Sequence, residues 1–541
     1  MSHPQPRVLP FVNPATGDQF GQVAIASSAE IALAHKEMRQ AFQVWRRKPL
    51  TERIRILRQF QAEVIDAIDE ISTVINQDTG KSRQDGWVEV NMSVDRLHQY
   101  YKLAPKWLER RRVPPGLYLF KQYYTEPHPF GVVAVIGPWN YPFDLCVPPM
   151  CSALLAGNTV LLKPSEVTPA VGVMIEKLIQ RVPELAPFVR VLHGDGSVGA
   201  QIVASRPDLI FLTGSTATGH KIAQKAAESL TPFIYELGGK DPMIVFDTAD
   251  IQAAARWGTW GAVYNTGQTC MGIERVYVQE AAYDEFVTAA LAEARQVKIG
   301  YSCETDNQFD MGPLTFERQV SIVTDQLDDA LAKGARILTG GKLDGLFMEP
   351  TILVDVDHSM KVMREETFGP IMPIMKFNNE SEAIWLANDC EYGLSAAVWS
   401  GDVHQAKRVA HRLDVGSVVI NDAIVHYPVS LLPFGGVKLS GNARTHGKEE
   451  VMQFTQMRSY AIGGTPNPLD LTTIFRTPGH YRLGKAITRL AFGVTPRQRL
   501  EPITEILDEI GLDGKVSQAV KVTGAVAMVT AVLFGLLRSR K

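Results

Sequence analysis

The sequence predicts an α/β protein built on a doubly wound parallel sheet, followed by a second α/β set. Two observations carry this. Between Val132 and Leu237 short apolar runs alternate with helical stretches, joined by brief Gly-containing turns, as in strand–helix–strand crossovers. At 541 residues the chain also exceeds what one hydrophobic core organises, so two or three domains are expected. A hydrophobic content of 45% with 21% charged residues excludes a disordered, collagen-like or polytopic membrane chain.

The elements follow in order. Met1 to Asn13 lacks the apolar core of a secretory signal. Ser28 to about Asp78 shows helical periodicity interrupted near Pro49, with Ser28 and Thr51 as N-caps ahead of acidic residues. Leu117 to Tyr124, between Pro114-Pro115-Gly116 and Pro127, reads as an extended arm. Val132 to Gly137 is a buried parallel strand ending at Gly-Pro. Strands at Thr159–Leu162, Val189–Leu192, Leu209–Thr213 and Ile234–Leu237 then alternate with helices at Pro169–Gln180, Ser197–Ser205 and Thr218–Ser229. The second set runs from about Gly239 to Phe434, with strands Val276–Gln279, Ile371–Met375, Ala396–Trp399 and Ser417–Ile420.

A net charge of −3 argues against nucleic acid as the main partner. Five cysteines, an odd number without a CxxC pair, fit a reducing compartment, and no metal-ligand set is read. Cys146, Cys151 and Cys390 read as structural. Cys270 stands apart: it follows Asn265-Thr266-Gly267-Gln268-Thr269 and lies thirty-four positions after Glu236. Glu236 sits in Tyr235-Glu236-Leu237-Gly238-Gly239-Lys240. A thiol is the best side-chain nucleophile near neutral pH, but only as its thiolate, and a nearby carboxylate can take a proton from it or from water. The pair suggests covalent chemistry at a carbonyl carbon, each partner activated by its loop.

Three further loops sit at the carboxyl ends of predicted parallel strands, where α/β sheets bind ligands. In Gly137-Pro138-Trp139-Asn140-Tyr141-Pro142 the Asn140 amide can donate to a developing oxyanion, or serve only as a turn residue. In Leu162-Lys163-Pro164-Ser165-Glu166, Lys163 supplies a point charge and Glu166 can accept from ribose hydroxyls; a plain surface turn is the alternative. Thr213-Gly214-Ser215-Thr216-Ala217-Thr218-Gly219 opens a helix whose first N–H groups suit a pyrophosphate. Its glycines are spaced GxxxxG with no Gly-Lys-Ser/Thr following, so neither GxGxxG nor a P-loop is present.

These segments, in this order, resemble the aldehyde dehydrogenase superfamily from about Phe11 to Ile462. The resemblance implies a cofactor domain at 1–112 and 128–238, an oligomerisation arm at 113–127 and 456–464, a catalytic domain at 239–434 and a return segment at 435–455. It implies Cys270 as nucleophile, Glu236 as general base, and Asn140 with the Cys270 N–H as oxyanion donors. Lys163 and Glu166 would hold the adenosine ribose, and Gly214, Ser215 and Gly219 the phosphates. In Glu365-Glu366-Thr367-Phe368-Gly369-Pro370, Glu366 would bind the nicotinamide ribose and Phe368 would pack by the ring, with Trp139 also on the cofactor side. Asn421 and Pro433-Phe434-Gly435-Gly436-Val437-Lys438 match the family's closing segment. The implied cofactor is NAD, with NADP as the alternative, since Glu166 would repel a 2′-phosphate. The implied assembly is a homodimer or homotetramer.

The tail, 465–541, is a basic extension. Pro466 to Lys541 carries 11 Lys/Arg against 6 Asp/Glu, while the rest carries 44 against 52. Arg476, Arg482, Lys485, Arg489, Arg497 and Arg499 alternate with apolar residues, and Pro502 to Ile510 reads as a short amphipathic helix. Val522 to Leu537 has no charge; at 1.5 Å per residue it spans ~24 Å, or ~28 Å from Ala519, against a ~30 Å hydrocarbon core. Segment 519–537 is therefore either a membrane-associating element or a helix sealing an oligomer. The expectation is a cytoplasmic NAD(P)+-dependent enzyme, membrane-associated through its C-terminus, that oxidises medium or long-chain aliphatic aldehydes through a cysteine thiohemiacetal and thioester. The alternatives are an enzyme of small aldehydes or semialdehydes, a CoA-acylating enzyme, against which Glu236 speaks, and an idle scaffold, which would have lost one of Cys270, Glu236 and Asn140.

Overall fold

The computed structural model describes residues 7–116, 121–305, 308–463 and 480–509. The apolar segment 519–537, Arg476, Ile510 and the start of the arm at 117–120 lie outside them. The chain divides into two compact units, Met1–Leu108 with His128–Gln456, and Glu109–Pro127 with Met457–Lys541.

The first unit holds two large sheets beside three two-stranded ones among the described residues. One has five parallel strands in the order Val189–Val191, Thr159–Lys163, Val132–Ile136, Leu209–Thr213, Phe233–Glu236. Chain order reverses between Val132–Ile136 and Leu209–Thr213, the switch point that opens a ligand crevice at the carboxyl ends. Alternate residues feed opposite faces: Val133, Val135 and Phe211 enter one core, Ala134, Ile136 and Leu212 the other. With both faces covered, these strands are apolar throughout rather than alternating.

The second sheet has seven strands: Arg336–Thr339, Thr351–Val354, Ile371–Phe377, Ile273–Gln279, Asp241–Val245, Ser395–Trp399 and Ser417–Ile420. All neighbours are parallel except the first pair. One interior strand, Asp241–Val245, was not expected from the sequence. Pro242 cannot donate to a ladder, and it is tolerated because the register with Ile273–Gln279 slips between Asp241 and Pro242.

Helix starts differ slightly from expectation. Ser27, not Ser28, caps Ser28–Trp45, in a reciprocal pair with Glu30. Leu50–Asp66 begins after Pro49 with no side-chain cap, so Thr51 lies inside it.

In the second unit Arg111–Val113 pairs antiparallel with Lys121–Pro129, and Thr455–Gly463 lies on the other side of that strand. Tyr124 and Tyr460 stack at 4.6 Å, with the Arg110 guanidinium 4.0 Å from the Tyr124 ring. The arm and the C-terminal strand thus pair with each other within one chain. The edges left for a partner are the outer ones of this sheet. The tail helix begins at Pro496, not Pro502, and runs to Glu509. Thr495 accepts from the Gln498 N–H at 3.2 Å and Pro496 fits the first turn, which sets the earlier start. It packs on His480–Phe492, and Arg489 pairs with Glu501 across the two at 2.7 Å. Among the described residues no helix is long and apolar enough to cross a membrane.

Candidate active site

The chain leaves the five-stranded sheet at Glu236, the carboxyl end of its strand, and passes through Leu237-Gly238-Gly239-Lys240 to the amino end of Asp241–Val245. Cys270 precedes Ile273–Gln279 and Glu366 precedes Ile371–Phe377, both again at amino ends. The carboxyl ends of one sheet therefore contribute Asn140, Lys163, Gly214 and Glu236, and the amino ends of the other contribute Cys270 and Glu366.

A strained turn positions Cys270. Asn265 and Thr266 take φ of 52° and 59°, and Gly267 takes 71°. A Cβ on Gly267 would lie 2.2 Å from the Gly369 carbonyl oxygen, so only glycine fits. Gln268 locks the turn: its amide nitrogen donates to the Asn265 carbonyl at 3.1 Å, and its amide oxygen accepts from the Thr315 N–H at 2.9 Å. Cys270 packs against a cluster that includes Met92, Tyr141, Met271, Ile424 and Tyr427.

Asn140 is 5% exposed, and its Nδ2 donates to the Gln268 carbonyl at 3.1 Å. That ties the amide to the cysteine loop and leaves its second N–H available. Its backbone carbonyl accepts from Lys81 Nζ at 2.7 Å. Lys81 is paired at 3.1 Å with Glu89, and both are buried. Glu89 Oε1 accepts in turn from the Phe143 and Asp144 N–H groups at 2.7 and 3.1 Å. Sequence reasoning missed this pair. Its one visible trace is Gly80-Lys81, where Gly80 at φ 80° ends a helix.

Glu236 is 1% exposed, and neither of its oxygens makes a hydrogen bond. Burial pushes its carboxyl up to about 7, while the neighbouring Cys270 thiol and Arg96 act to lower it. Burial, then the Glu236, Asp241 and Glu366 carboxyls, push the Cys270 thiol well above its usual range. Both influences favour the protonated thiol, beside a carboxyl poised near neutrality.

The residues expected to hold the cofactor lie at strand ends of the two sheets and in the loops and helix beside them. Lys163 Nζ reaches Glu166 at 3.0 Å at the end of Thr159–Lys163. Ser215 caps the helix Thr216–Ala227, Gly214 N–H donates to the Glu236 carbonyl at 3.1 Å, and Gly219 abuts Leu237, 2.8 Å from where a Cβ would stand. Glu366 accepts from the Gly239 N–H at 3.1 Å, and a Cβ on Gly238 would come within 2.3 Å of both its oxygens. Phe368, at φ 52°, meets Trp139 edge to face at 5.4 Å. Glu274, salt-bridged to buried Lys240 at 2.7 Å, holds this loop by accepting from the Thr367 and Phe368 N–H groups.

A cavity of about 740 Å³ opens beside the cysteine; Tyr141, Met271, Ile424 and Tyr427 form its inner wall, the same side chains against which Cys270 packs. Trp257, Trp260 and Tyr264 continue the lining along one helix face, with ring centroids 5.4 and 5.0 Å apart. All five cysteines are free, and burial lifts the Cys146 and Cys151 thiols to about 12. Among the described residues no group of three His, Cys, Asp or Glu is placed to hold a metal ion.

Fold and site together define an α/β oxidoreductase with a cysteine held between a nucleotide-type sheet and a second sheet. The chain belongs to the aldehyde dehydrogenase family, whose sequence model matches residues 2–460. It acts on aldehydes and uses NAD(P). It is 41% identical over 459 residues to a 4,4'-diapolycopene aldehyde oxidase of Methylomonas sp, covering 84% of this chain and 85% of that one. It is 35% identical over 451 residues to a provisionally named succinate-semialdehyde dehydrogenase [NADP(+)] of Mycobacterium ulcerans, covering 82% and 87%. Among solved structures, a betaine aldehyde dehydrogenase of Staphylococcus aureus in complex with NAD+ matches with a TM-score of 0.82 at 30% identity, covering 86% and 96%.

Proposed function

We propose that the protein oxidises an apolar aldehyde to its carboxylic acid through covalent attachment to Cys270, with Glu236 as base and Asn140 as oxyanion donor. The observation that carries this is the near-neutral Glu236 carboxyl beside a half-buried thiol, with Asn140 tied to the same loop. Cys270 Sγ attacks the aldehyde carbon as Glu236 takes its proton. The oxygen of the thiohemiacetal collects charge, and the free N–H of Asn140 and the Cys270 backbone N–H receive it. A bound nicotinamide supplies the hydride acceptor that no side chain can provide. Glu236 then gives up the thiol's proton to solvent; water attacks the thioester left on Cys270 as its proton goes to the freed carboxylate, and collapse releases the acid while that proton returns to the sulfur.

The site fits the dinucleotide on its own geometry. Gly238 leaves the space against Glu366 that a side chain would fill, and the Thr216–Ala227 helix offers its first N–H groups to a phosphate. Gly214, Ser215 and Gly219 would hold the pyrophosphate, Lys163 and Glu166 the adenosine ribose, Glu366 the nicotinamide ribose, and Trp139 with Phe368 the ring. Glu166 favours NAD over NADP. The segments 1–112 with 128–238 serve as cofactor domain, 239–434 as catalytic domain and 435–455 as the return segment.

The aromatic cavity supports a medium or long hydrocarbon chain on the substrate, because this space of about 740 Å³ has Trp257, Trp260 and Tyr264 in its lining. In the tail, Tyr481 and Val494 are 84% and 88% exposed beside Arg482 and Lys485, a pattern suited to an anionic membrane surface. With 519–537 this makes the tail a membrane-associating module delivering such substrates. The outer edges of the arm sheet suit a homodimer or homotetramer. Steady-state rates over unbranched aldehydes of two to sixteen carbons, with NAD and NADP compared, test the substrate reading. A kcat/KM that falls with chain length refutes it. Flotation of the full chain with anionic vesicles, lost on truncation after Pro466, tests the tail.

A further inference from the structure

The cavity is apolar in area but not neutral in charge. Among its described lining residues three carboxyls, Asp85, Glu293 and Asp310, face one cation, Arg256, which is exposed. Asp85 is the deepest of the three. It lies in the first turn of the helix Arg83–Trp107 and accepts from the Ser82 hydroxyl at 2.7 Å, with the Tyr264 phenol as a second donor. The Tyr141 phenol, 2.9 Å from the Thr269 hydroxyl, lines the same cavity as Asp85 and belongs to the cluster against which Cys270 packs. The other cation near Asp85, Lys81, is already bonded to Glu89 and to the Asn140 carbonyl.

We infer that Asp85 is a specificity-determining residue that turns away aldehydes carrying a carboxylate a few carbons from the carbonyl and admits uncharged ones. With the aldehyde carbon at Cys270, the rest of the substrate occupies the cavity that Asp85 lines. The one cation among the described lining residues, Arg256, is exposed to solvent. Two like charges then share a site of low dielectric, which disfavours the bound complex and the transition state alike. Burial is the largest influence on Asp85 and raises its carboxyl, while donation from Ser82 and the nearby Lys81 charge act against it, so the repelling charge grows as pH rises. The inference rests on the aldehyde-oxidising reading above and narrows its substrate class, against the semialdehyde alternative.

The test compares succinate semialdehyde with its primary amide, an uncharged molecule of nearly the same shape, on the full-length enzyme. The amide is expected to have the higher kcat/KM by roughly ten- to hundred-fold, the range of a like-charge repulsion across a partly screened cavity. Asp85→Asn is expected to narrow that ratio about ten-fold, since Asn keeps a carbonyl for Ser82 and Tyr264 while removing the charge. Equal values for the two aldehydes in the wild type overturn the inference without any variant, as does an unchanged ratio in a folded Asp85→Asn. If the semialdehyde is the better substrate while hexadecanal is also turned over well, only the inference fails. If hexadecanal is not turned over, the apolar-substrate reading fails with it.

Discussion

Lys81→Met is the most informative perturbation, because it separates holding the oxyanion loop from holding the fold. Lys81 donates at 2.7 Å to the Asn140 carbonyl and forms a buried pair with Glu89. Removing one partner of such a pair leaves an uncompensated buried charge, at a cost of about 3–5 kcal/mol. The Asn140 carbonyl would keep only Asn265 Nδ2, at 3.4 Å. A displacement of about 1 Å at a reacting group costs on the order of 10²-fold, and complete loss of an oxyanion donor about 10²–10³-fold. The single variant is therefore expected to unfold at lower urea and to show an NADH burst slowed about ten- to hundred-fold. Lys81→Met/Glu89→Gln removes the orphaned charge yet keeps an amide oxygen for the Phe143 and Asp144 N–H groups. It should regain most of the stability while its burst stays slow. Stopped-flow absorbance at saturating aldehyde and urea titration read the two effects. A stabilised double variant with a wild-type burst refutes the reasoning and leaves Lys81 a purely structural residue.

The remaining predictions concern the reacting groups and the cofactor crevice. Cys270→Ala should abolish dehydrogenase turnover while NAD binding, followed by tryptophan fluorescence, persists; more than a few per cent residual rate sinks the nucleophile assignment. Glu236 is raised to about 7, so below that pH its carboxyl holds a proton and cannot serve as base, and above it the group is ionised. The steady-state rate should therefore rise with pH through about 7, and Glu236→Gln should flatten that limb and give a burst followed by slow turnover. Equal loss of both phases would give Glu236 a different role. Asn140→Ala should slow the burst itself by roughly 10²–10³-fold. Gly238→Ala places a methyl 2.3 Å from both Glu366 oxygens and should weaken NAD affinity by calorimetry, with the unfolding midpoint moving little; unchanged affinity would remove Glu366 from the cofactor site.

Both what the sequence revealed and what it concealed have physical causes. The five strands of the first sheet were legible because they are buried on both faces and punctuated by Gly and Pro, so apolar runs stood out. Asp241–Val245 was not, because Asp-Pro reads as a turn until a register slip accommodates it. Asn140, Glu236 and Cys270 were legible as residues because each lies in a distinctive loop. Their opposition was not, since carboxyl ends of one sheet facing amino ends of another is a property of two sheets and of no local segment. Lys81 and Glu89 were hidden for the same reason: they lie about fifty to sixty residues before the loop they hold. The thiol's state is the sharpest case. A cysteine after a strained turn suggests an activated nucleophile, but partial burial and three acidic neighbours favour the protonated thiol. Among these groups the acceptor within reach is Glu236, whose own burial brings its affinity near neutrality. The loop therefore sets where the sulfur stands, and the opposing sheet sets when it can react.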